Sequence, residues 1–484
     1  MNIKKPAFIS TVIAFIILCI LLIGIPIGMA NNGDYYRTMS QNDLYFFEKA
    51  PEDQFFNYFV KDFGVFQYYN EITKKETIFT SQHLFIRLAM KIDAFFTNGD
   101  YSFDIRFLGF LQILLCCFGI YLFVDYLSYQ KTFLTGLLIG LICVLAFTDV
   151  GYCAYFNSFY AEGFAYTLFI ILFSSILLLF QKRYSPYFLY PLILTSALLL
   201  ISLKQQYAPI GIILSIVFIF IAFFEPKKWL KRIAYISCFL SALSGILVYV
   251  LIPQEFVNIN SYHAMTRGIL LTSDTPEESL SEFNIYKQYS LLNGETYYTK
   301  YPQVDTDTHE FKEEFFSKYN FVSICLYYVK HPDQLNKMLK FVAENAYNPR
   351  PTSLGNYLAN SGHEKCARFE QHTLWSTAKD MIPNTSAFLL IWCILGVILG
   401  IKNRPQMIVI ASMVLIGLSQ IGVSIIAAGD ADLGKHIFLF SIVFDFVNLI
   451  GISYILTKWI ASLEKKYRKK HPLPANKNVM QQGV

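Results

Sequence analysis

The sequence predicts an all-α integral membrane protein, built as a bundle of about ten transmembrane helices. Of its 484 residues, 54% are hydrophobic and 15% are charged, whereas roughly 25% of the residues in a soluble domain are charged. The mean hydropathy is +0.40, and long uncharged runs alternate with short charged segments. These features exclude a soluble globular enzyme, a coiled coil and a disordered chain. Because the basic residues form short clusters between apolar runs, they do not indicate nucleic-acid binding.

Ten apolar runs are candidates for membrane spans, since a transmembrane helix needs about 20 predominantly apolar residues. The first run follows Lys4 and Lys5 but is longer than the roughly 7–15 apolar residues of a signal peptide, so we expect it to be retained as a span. The fifth and eighth runs are short and are compatible with tilted or re-entrant segments. The runs are residues 8–29, 105–128, 132–149, 159–181, 187–203, 206–224, 233–252, 386–401, 405–428 and 434–461.

The lysines and arginines between the runs predict the orientation of the chain. Basic residues are enriched in the cytoplasmic loops of membrane proteins, and a cytoplasmic N-terminus places eighteen of them in cytoplasmic segments. The short outer loops then hold only Lys204 and Lys435. We therefore expect a multi-pass protein of the cell membrane with both termini in the cytoplasm. Of the 35 acidic residues, 27 lie within 30–104 and 253–385, which this topology places outside.

The apolar runs and two long polar segments divide the chain into regions. In the first polar segment, residues 81–96 carry apolar side chains at helical spacing with a few charges, a pattern typical of a helix lying parallel to the membrane. The second alternates short helical patterns with proline and glycine and is long enough for a small, mainly helical domain. The predicted regions are an N-terminal transmembrane module of about seven spans (1–252) with its outer loop (30–104), an extracytoplasmic domain (253–385), a C-terminal module of about three spans (386–461) and a basic cytoplasmic tail (462–484).

Ionisable residues at the ends of apolar helices are candidates for function, because charge is costly next to the hydrocarbon phase. Asp34 follows the first span in the sequence NNGDYYR, and Arg37 lies three residues further on. A carboxylate at a helix end is suited to act as a general base or to bind a cation. Asn-Gly-Asp is also a common turn composition, so a plain helix stop explains the same residues.

Glu162 lies at the predicted outer start of the fourth span, in the sequence NSFYAEG. One interpretation makes it a second catalytic carboxylate. The other is structural: Ser158 caps the helix, and Glu162 is an acid favoured by the helix dipole near the N-terminus.

The turn GDADLGKH (429–436), between the last two spans, is unusually rich in charge. Lys435 and His436 are placed to bind a phosphate, and Asp430 and Asp432 offer oxygen ligands to a divalent cation such as Mg²⁺ or Mn²⁺. A solvated turn is the alternative, although a plain turn does not need so many charges beside a hydrocarbon phase.

Further basic residues are candidates for binding a lipid-linked phosphate. Lys204 stands between spans five and six, against the charge bias of the outer side. It is placed to neutralise such a phosphate, or else is a lysine that snorkels from a helix end. Arg106, at the start of the second span, is a similar but weaker candidate. Arg267, in the second outer segment, and Arg37 complete this set.

Together these features resemble the GT-C superfamily, polytopic glycosyltransferases that use polyprenyl-phosphate sugars at the outer leaflet. The shared features are a carboxylate after the first span, a long first outer loop with a membrane-parallel helix, and a large late outer domain. A closer resemblance is to the bacterial Wsf-type hexose transferases of glycan biosynthesis. It is carried by NNGDYYR (31–37), YFNSFYAEG (155–163), YHAMTRGIL (262–270), AENAYNPRP (343–351), LGNY (354–357), LWS (374–376) and GDADLGKHIFLF (429–440).

The resemblance implies transfer of a hexose from a polyprenyl-phosphate donor to a cell-envelope glycan acceptor at the outer face of the bilayer. Asp34 matches the superfamily's first-loop aspartate, which acts as catalytic base or metal partner. On charge and position, Lys204, Lys435 and Arg37 or Arg267 would stabilise the leaving phosphate. A lipid phosphate requires no nucleotide-binding domain, and the sequence shows no GxGxxG after a predicted strand.

Two other functions fit this class of membrane protein. An envelope polysaccharide polymerase also has many spans and a large outer loop, but it transfers a chain linked to a lipid diphosphate. A non-enzymatic transporter or flippase of lipid-linked sugars predicts charged residues at the membrane midplane, where Asp445 is the clearest candidate. The donor that the purified protein uses distinguishes a polymerase from a hexose transferase. Movement of the lipid without formation of a glycosidic bond would indicate a transporter or flippase.

Overall fold

Each of the ten apolar runs contains a helix. The computed structural model describes residues 5–47, 55–66, 79–401 and 403–470. Residues 471–484 of the predicted basic tail therefore lie outside the described residues. The helices are α1 (Lys5–Cys19, continued by a π-helical turn at Ile20–Gly24), α2 (Arg106–Leu127), α3 (Phe133–Phe147), α4 (Glu162–Phe180), α5 (Pro186–Ile201), α6 (Ala208–Phe224), α7 (Lys228–Val250), α8 (Ser386–Leu399), α9 (Arg404–Ala428) and α10 (Phe438–Lys470).

Seven of the described helices are long and apolar enough to cross a membrane, namely α1, α2, α4, α6, α7, α9 and α10. An eighth candidate is the pair formed by α3 and Val150–Asn157, which is bent by 45°. Helices α5 and α8 are shorter, with 16 and 14 residues. The fifth and eighth runs are thus short, as expected. About ten spans were predicted, and seven or eight of the described helices are long enough to cross a membrane.

Helix α4 lies at the centre of the bundle and positions the site. Its residues from Glu162 to Leu178 are all buried, and it packs against α2, α5, α9 and α10. Helices α6 and α7 approach closely where a Cβ atom on Gly211 would lie 2.5 Å from the backbone oxygen of Ser241. Because glycine lacks this atom, the two backbones can meet here.

The first polar segment contains the predicted amphipathic helix, here Gln82–Phe96, and a short helix at Asp34–Ser40. Helix Gln82–Phe96 buries Ile86 and Ala89 and exposes Leu84 and Phe95. The predicted helix at 81–96 is thus present, whereas its orientation along the membrane stays a prediction.

A small β-sheet in the same segment departs from the all-α prediction. Strands β1 (Leu44–Tyr45), β2 (Asp62–Val65) and β3 (Ser102–Asp104) form an antiparallel sheet in the order β1-β2-β3. Phe63 pairs with Phe103, and both rings are fully buried. Strands this short carry too few alternating residues for the pattern to be recognised.

The second polar segment is mainly helical, as predicted. It is bonded to the residues that follow α1, at the start of the first polar segment. The Asn356 side chain donates to the Gly28 carbonyl, and the Gly28 N–H donates to the Asn356 carbonyl. The segment contains α-helices at Gln254–His263, Leu270–Thr272, Pro276–Glu282, His309–Glu314, Phe321–Lys330, Pro332–Asn345 and Leu374–Lys379, a π-helix at Ala264–Ile269, and 3-10 turns at Lys287–Leu292, Phe316–Lys318 and Ala359–Ser361.

Candidate functional site

One cavity collects most of the residues that the sequence singles out. It has a volume of about 400 Å³ and lies where the first polar segment meets the ends of several apolar helices. Lys435 adjoins it through an ion pair with Asp34, although the two residues are 401 positions apart. The predicted residues that line the cavity are Asp34, Arg37, Glu162, Lys204, Asp432 and His436.

Backbone geometry places Asp34 at the cavity. Gly33 has a φ of 102°, a backbone conformation that residues other than glycine rarely adopt. The side-chain oxygen of Asn31 accepts the Gly33 N–H at 2.7 Å, and that of Asn32 accepts the Asp34 N–H at 3.1 Å. Tyr160 donates its hydroxyl to Asn32 at 2.9 Å, which ties the turn to the start of α4. The turn composition therefore has a structural role and also orients the carboxylate.

Asp34 and Lys435 form a charged pair at the centre of the site. Lys435 donates to Asp34, its Nζ lies 3.3 Å from a carboxylate oxygen of Asp432, and only 3% of its side chain is exposed. Partial removal from water alone would raise the pKa of Asp34, but the charges of Lys435 and Lys204 hold that pKa well below its usual range. Burial likewise opposes the charge of Lys435, yet Asp34 and Asp432 raise its pKa above the ordinary value. Both groups are therefore ionised at neutral pH.

Glu162 and Lys204 form a second ion pair at the cavity. Their side chains meet at 2.6 Å, with Glu162 1% exposed and Lys204 25% exposed. The structural interpretation predicted that Ser158 caps α4, and this is not observed. The Ser158 hydroxyl donates to the Tyr155 carbonyl, and Ala161 is the residue that precedes the helix. Glu162 is thus a buried carboxylate with a lysine partner.

His436 is held by Gln206, a residue that sequence reasoning missed. The Gln206 amide nitrogen donates to the His436 carbonyl, and the amide oxygen lies 2.9 Å from the ring Nδ1. Burial and then the charge of Lys204 lower the pKa of His436 to about 4. The ring is neutral at neutral pH and so offers no positive charge to a phosphate, and the predicted phosphate binding by His436 stays a prediction. The available signal was the polar pair at 205–206 beside Lys204, between two apolar runs.

Four predicted residues are not among the described residues that line the cavity, namely Arg106, Arg267, Asp430 and Lys435, although Lys435 contacts Asp34 there. Arg267 donates to both carboxylate oxygens of Asp430 at 2.7 and 2.8 Å and to the Gly294 carbonyl. Arg106 pairs with Asp104 at distances of 2.5 to 3.0 Å. Because neither arginine nor its carboxylate partner lines the cavity, we do not assign phosphate binding at this cavity to Arg106 and Arg267.

The predicted cation site at Asp430 and Asp432 does not fit these contacts. Asp430 is neutralised by Arg267, and Asp432 lies beside Lys435. Each carboxylate thus already has a cationic partner. Among the described residues, no group of three His, Cys, Asp or Glu side chains is arranged to hold a metal ion.

Part of the cavity lining is apolar. This apolar wall is formed by the ends of α7 and α9 and by helix Gln254–His263. Next to it, Arg37 donates to the Tyr298 hydroxyl at 2.8 Å and stacks over the Phe256 ring at 4.5 Å. The cavity therefore combines ion pairs with an apolar surface suited to hydrocarbon. The wall residues are Tyr249, Ile252, Phe256, Ile259, Val423 and Ile426.

His263, also at the cavity, should make stability depend on pH. Its Nε2 accepts the Tyr297 N–H at 3.0 Å, and burial followed by the charge of Arg267 lowers its pKa to about 4. An unfolded histidine has a pKa of about 6.5. The stability that the neutral ring contributes is full above that value and is lost as the pH falls from about 6.5 towards 4, since the unfolded chain binds the proton first.

We therefore expect the Tm in detergent to drop between pH 7 and pH 5, with a smaller drop in His263→Gln. The glutamine can still accept a hydrogen bond but does not titrate. Because other groups titrate in both proteins, the difference between the two pH profiles is the measurement. Parallel profiles would contradict this assignment.

This chain matches a family model and several solved structures. A search of curated proteins finds no match. Among solved structures, the archaeal oligosaccharyltransferase AglB from Archaeoglobus fulgidus, in complex with an inhibitory peptide and a dolichol-phosphate, is similar at 12% identity and a TM-score of 0.42. The match covers 98% of this chain and 53% of AglB, so the chain spans about half the length of that protein. The score is too low to support a functional argument. The model of the YfdI N-terminal transmembrane domain matches residues 1–479, and the chain therefore belongs to that family.

Proposed function

We propose that the protein is a membrane glycosyltransferase that transfers a hexose from a polyprenyl-phosphate donor to a cell-envelope glycan acceptor at the outer face of the membrane. The observation that carries the proposal is the convergence of Asp34, Glu162, Lys204, Asp432 and His436 on one cavity with an apolar wall. These residues come from four separate parts of the chain. A site for a lipid-linked sugar needs this combination of charge for the phosphate and hydrocarbon surface for the lipid.

The donor phosphate is assigned to Lys204 and Lys435. Both lysines stand at helix ends beside the cavity and are held by carboxylates. Charge-assisted hydrogen bonds from ammonium to phosphate are among the stronger ones in proteins. Glu162 is nearly fully buried and pairs with Lys204, so we assign it the task of positioning that lysine. The polyprenyl chain would run along the apolar wall.

Asp34 is assigned as the proton acceptor. The acceptor hydroxyl oxygen attacks the anomeric carbon of the hexose, while the bond from that carbon to the phosphate oxygen breaks. The bonding electrons leave with the polyprenyl phosphate, and the hydroxyl proton passes to the Asp34 carboxylate. Half of the Asp34 side chain is exposed, on the cavity side, which leaves it accessible to a hydroxyl.

Lys435 can act on both the base, Asp34, and the leaving phosphate. While its ammonium faces Asp34, it lowers the pKa of that carboxyl and makes Asp34 a weak base. If Lys435 turns towards the negative charge that develops on the leaving phosphate, the attraction on Asp34 weakens and its basicity rises. The lysine would then stabilise the leaving group and release the base in the same motion.

Lys204→Met tests the phosphate assignment. Loss of a charge-assisted hydrogen bond to the donor should raise the KM for a polyprenyl-phosphate hexose by about 10- to 100-fold. The measurement is hexose transfer by the purified protein in lipid vesicles, at varied donor concentration. Lys300→Met, at an exposed lysine of the second polar segment, is the matched control and should leave the KM unchanged.

Equal KM values in the two variants would overturn the assignment of Lys204. The same assay with a lipid-diphosphate-linked chain distinguishes the transferase from the polymerase. Parallel reactions with Mg²⁺, Mn²⁺ or EDTA measure metal dependence directly.

A further inference from the structure

Gln206 determines which nitrogen of His436 carries the proton. A backbone carbonyl only accepts hydrogen bonds, so the Gln206 amide must present its NH₂ group to the His436 carbonyl. Its oxygen then faces the ring Nδ1 at 2.9 Å. Two acceptors cannot bond to each other, so Nδ1 must be the protonated nitrogen. The neutral ring therefore carries its lone pair on Nε2.

The Nε2 atom is available to a ligand. The His436 ring lines the cavity, and within the described part of the chain Nε2 makes no hydrogen bond of its own. Burial and the nearby charge of Lys204 keep the ring unprotonated at neutral pH. A phosphate diester carries only acceptors at neutral pH, so it cannot bond to Nε2, whereas a hydroxyl can donate to it.

We propose that His436 recognises a sugar hydroxyl, which donates a hydrogen bond to Nε2, and that Gln206 is the positioning residue that holds the ring in this tautomer. The identification of the ligand as a sugar rests on the proposed function. The carboxylates nearby differ in kind, because Asp34, Glu162 and Asp432 each face a lysine. His436 thus offers an uncharged acceptor that selects a hydroxyl over an anion.

The tautomer can be measured without any transfer reaction. Protein with ¹⁵N-labelled histidine has eight such residues, and the signals missing from His436→Gln identify His436. We expect a protonated Nδ1 and an unprotonated Nε2 at pH 7, and a loss of this single form in Gln206→Leu. A protonated Nε2, or an unchanged tautomer in Gln206→Leu, would overturn the proposal.

Ligand addition to the same sample shows where the hydroxyl comes from. A shift of the His436 Nε2 signal with a polyprenyl-phosphate hexose, but not with polyprenyl phosphate, places the hydroxyl on the donor sugar. A shift only on addition of the glycan acceptor places it on the acceptor. No shift with either compound would overturn hydroxyl recognition.

Two substitutions at His436 give a matched kinetic test. The polar end of glutamine reaches the position of Nε2, whereas that of asparagine reaches only the position of Nδ1. We therefore expect His436→Asn to lose at least about tenfold more kcat/KM than His436→Gln, the size expected for one hydrogen bond. Equal losses would overturn the proposal. Absence of transfer in the unmodified protein would instead refute the proposed function, while the tautomer measurement would still stand.

Discussion

Asp34→Asn is expected to abolish hexose transfer while the protein stays folded in the membrane. The asparagine side chain has nearly the same shape, but it cannot take the proton of the acceptor hydroxyl. Loss of a general base typically lowers the rate by about 10²- to 10⁴-fold. Lys435 keeps Asp432 at 3.3 Å and the Tyr160 ring at 5.2 Å, so the buried ammonium is not left without partners.

The measurement is transfer from a polyprenyl-phosphate hexose at saturating donor, together with the Tm and the elution profile in detergent. Asp307→Asn, at an exposed aspartate of the second polar segment, is the control and should retain full activity. Full activity in Asp34→Asn would refute the proposed mechanism. A large drop in its Tm would assign the residue a structural role instead.

The second large effect is expected at a buried ion pair away from the cavity. Lys379 reaches Asp445 on α10 at 2.8 Å, and the side chains are only 4% and 2% exposed. Tyr152 donates its hydroxyl to the same carboxylate. Asp445, the deep acid that a transporter would require, is therefore engaged by two partners. The contact ties the last helix of the second polar segment, Leu374–Lys379, to the bundle.

Lys379→Met should destabilise the protein by roughly 3–5 kcal/mol, because it leaves the Asp445 carboxylate buried without a cation. The double variant Lys379→Met/Asp445→Leu removes both charges and should recover a large part of that loss. Thermal unfolding in detergent measures both effects. If the double variant is as unstable as the sum of the single variants, the two residues do not act as a pair.

Hydropathy and charge in the sequence predicted the helices and several residues of the candidate site. Local composition decides whether a segment enters a membrane, and charges at the ends of such segments are costly enough to be noticed. Asp34, Glu162, Lys204 and Lys435 were recognised in this way. Gln206 was not recognised, because its local sequence is ordinary and its partner, His436, lies 230 positions away.

The tertiary structure decided which charges act together. Arg106, Arg267, Lys204 and Lys435 look alike along the chain, yet the first two face carboxylates outside the cavity and the last two face carboxylates at it. The sequence by itself therefore determined the class of protein, the helices and the candidate charges. Only the packing determined the cavity, the ion pairs and the contact between Gln206 and His436. The physical reason is that hydrophobicity acts segment by segment, whereas electrostatic pairing depends on distances between residues that are hundreds of positions apart.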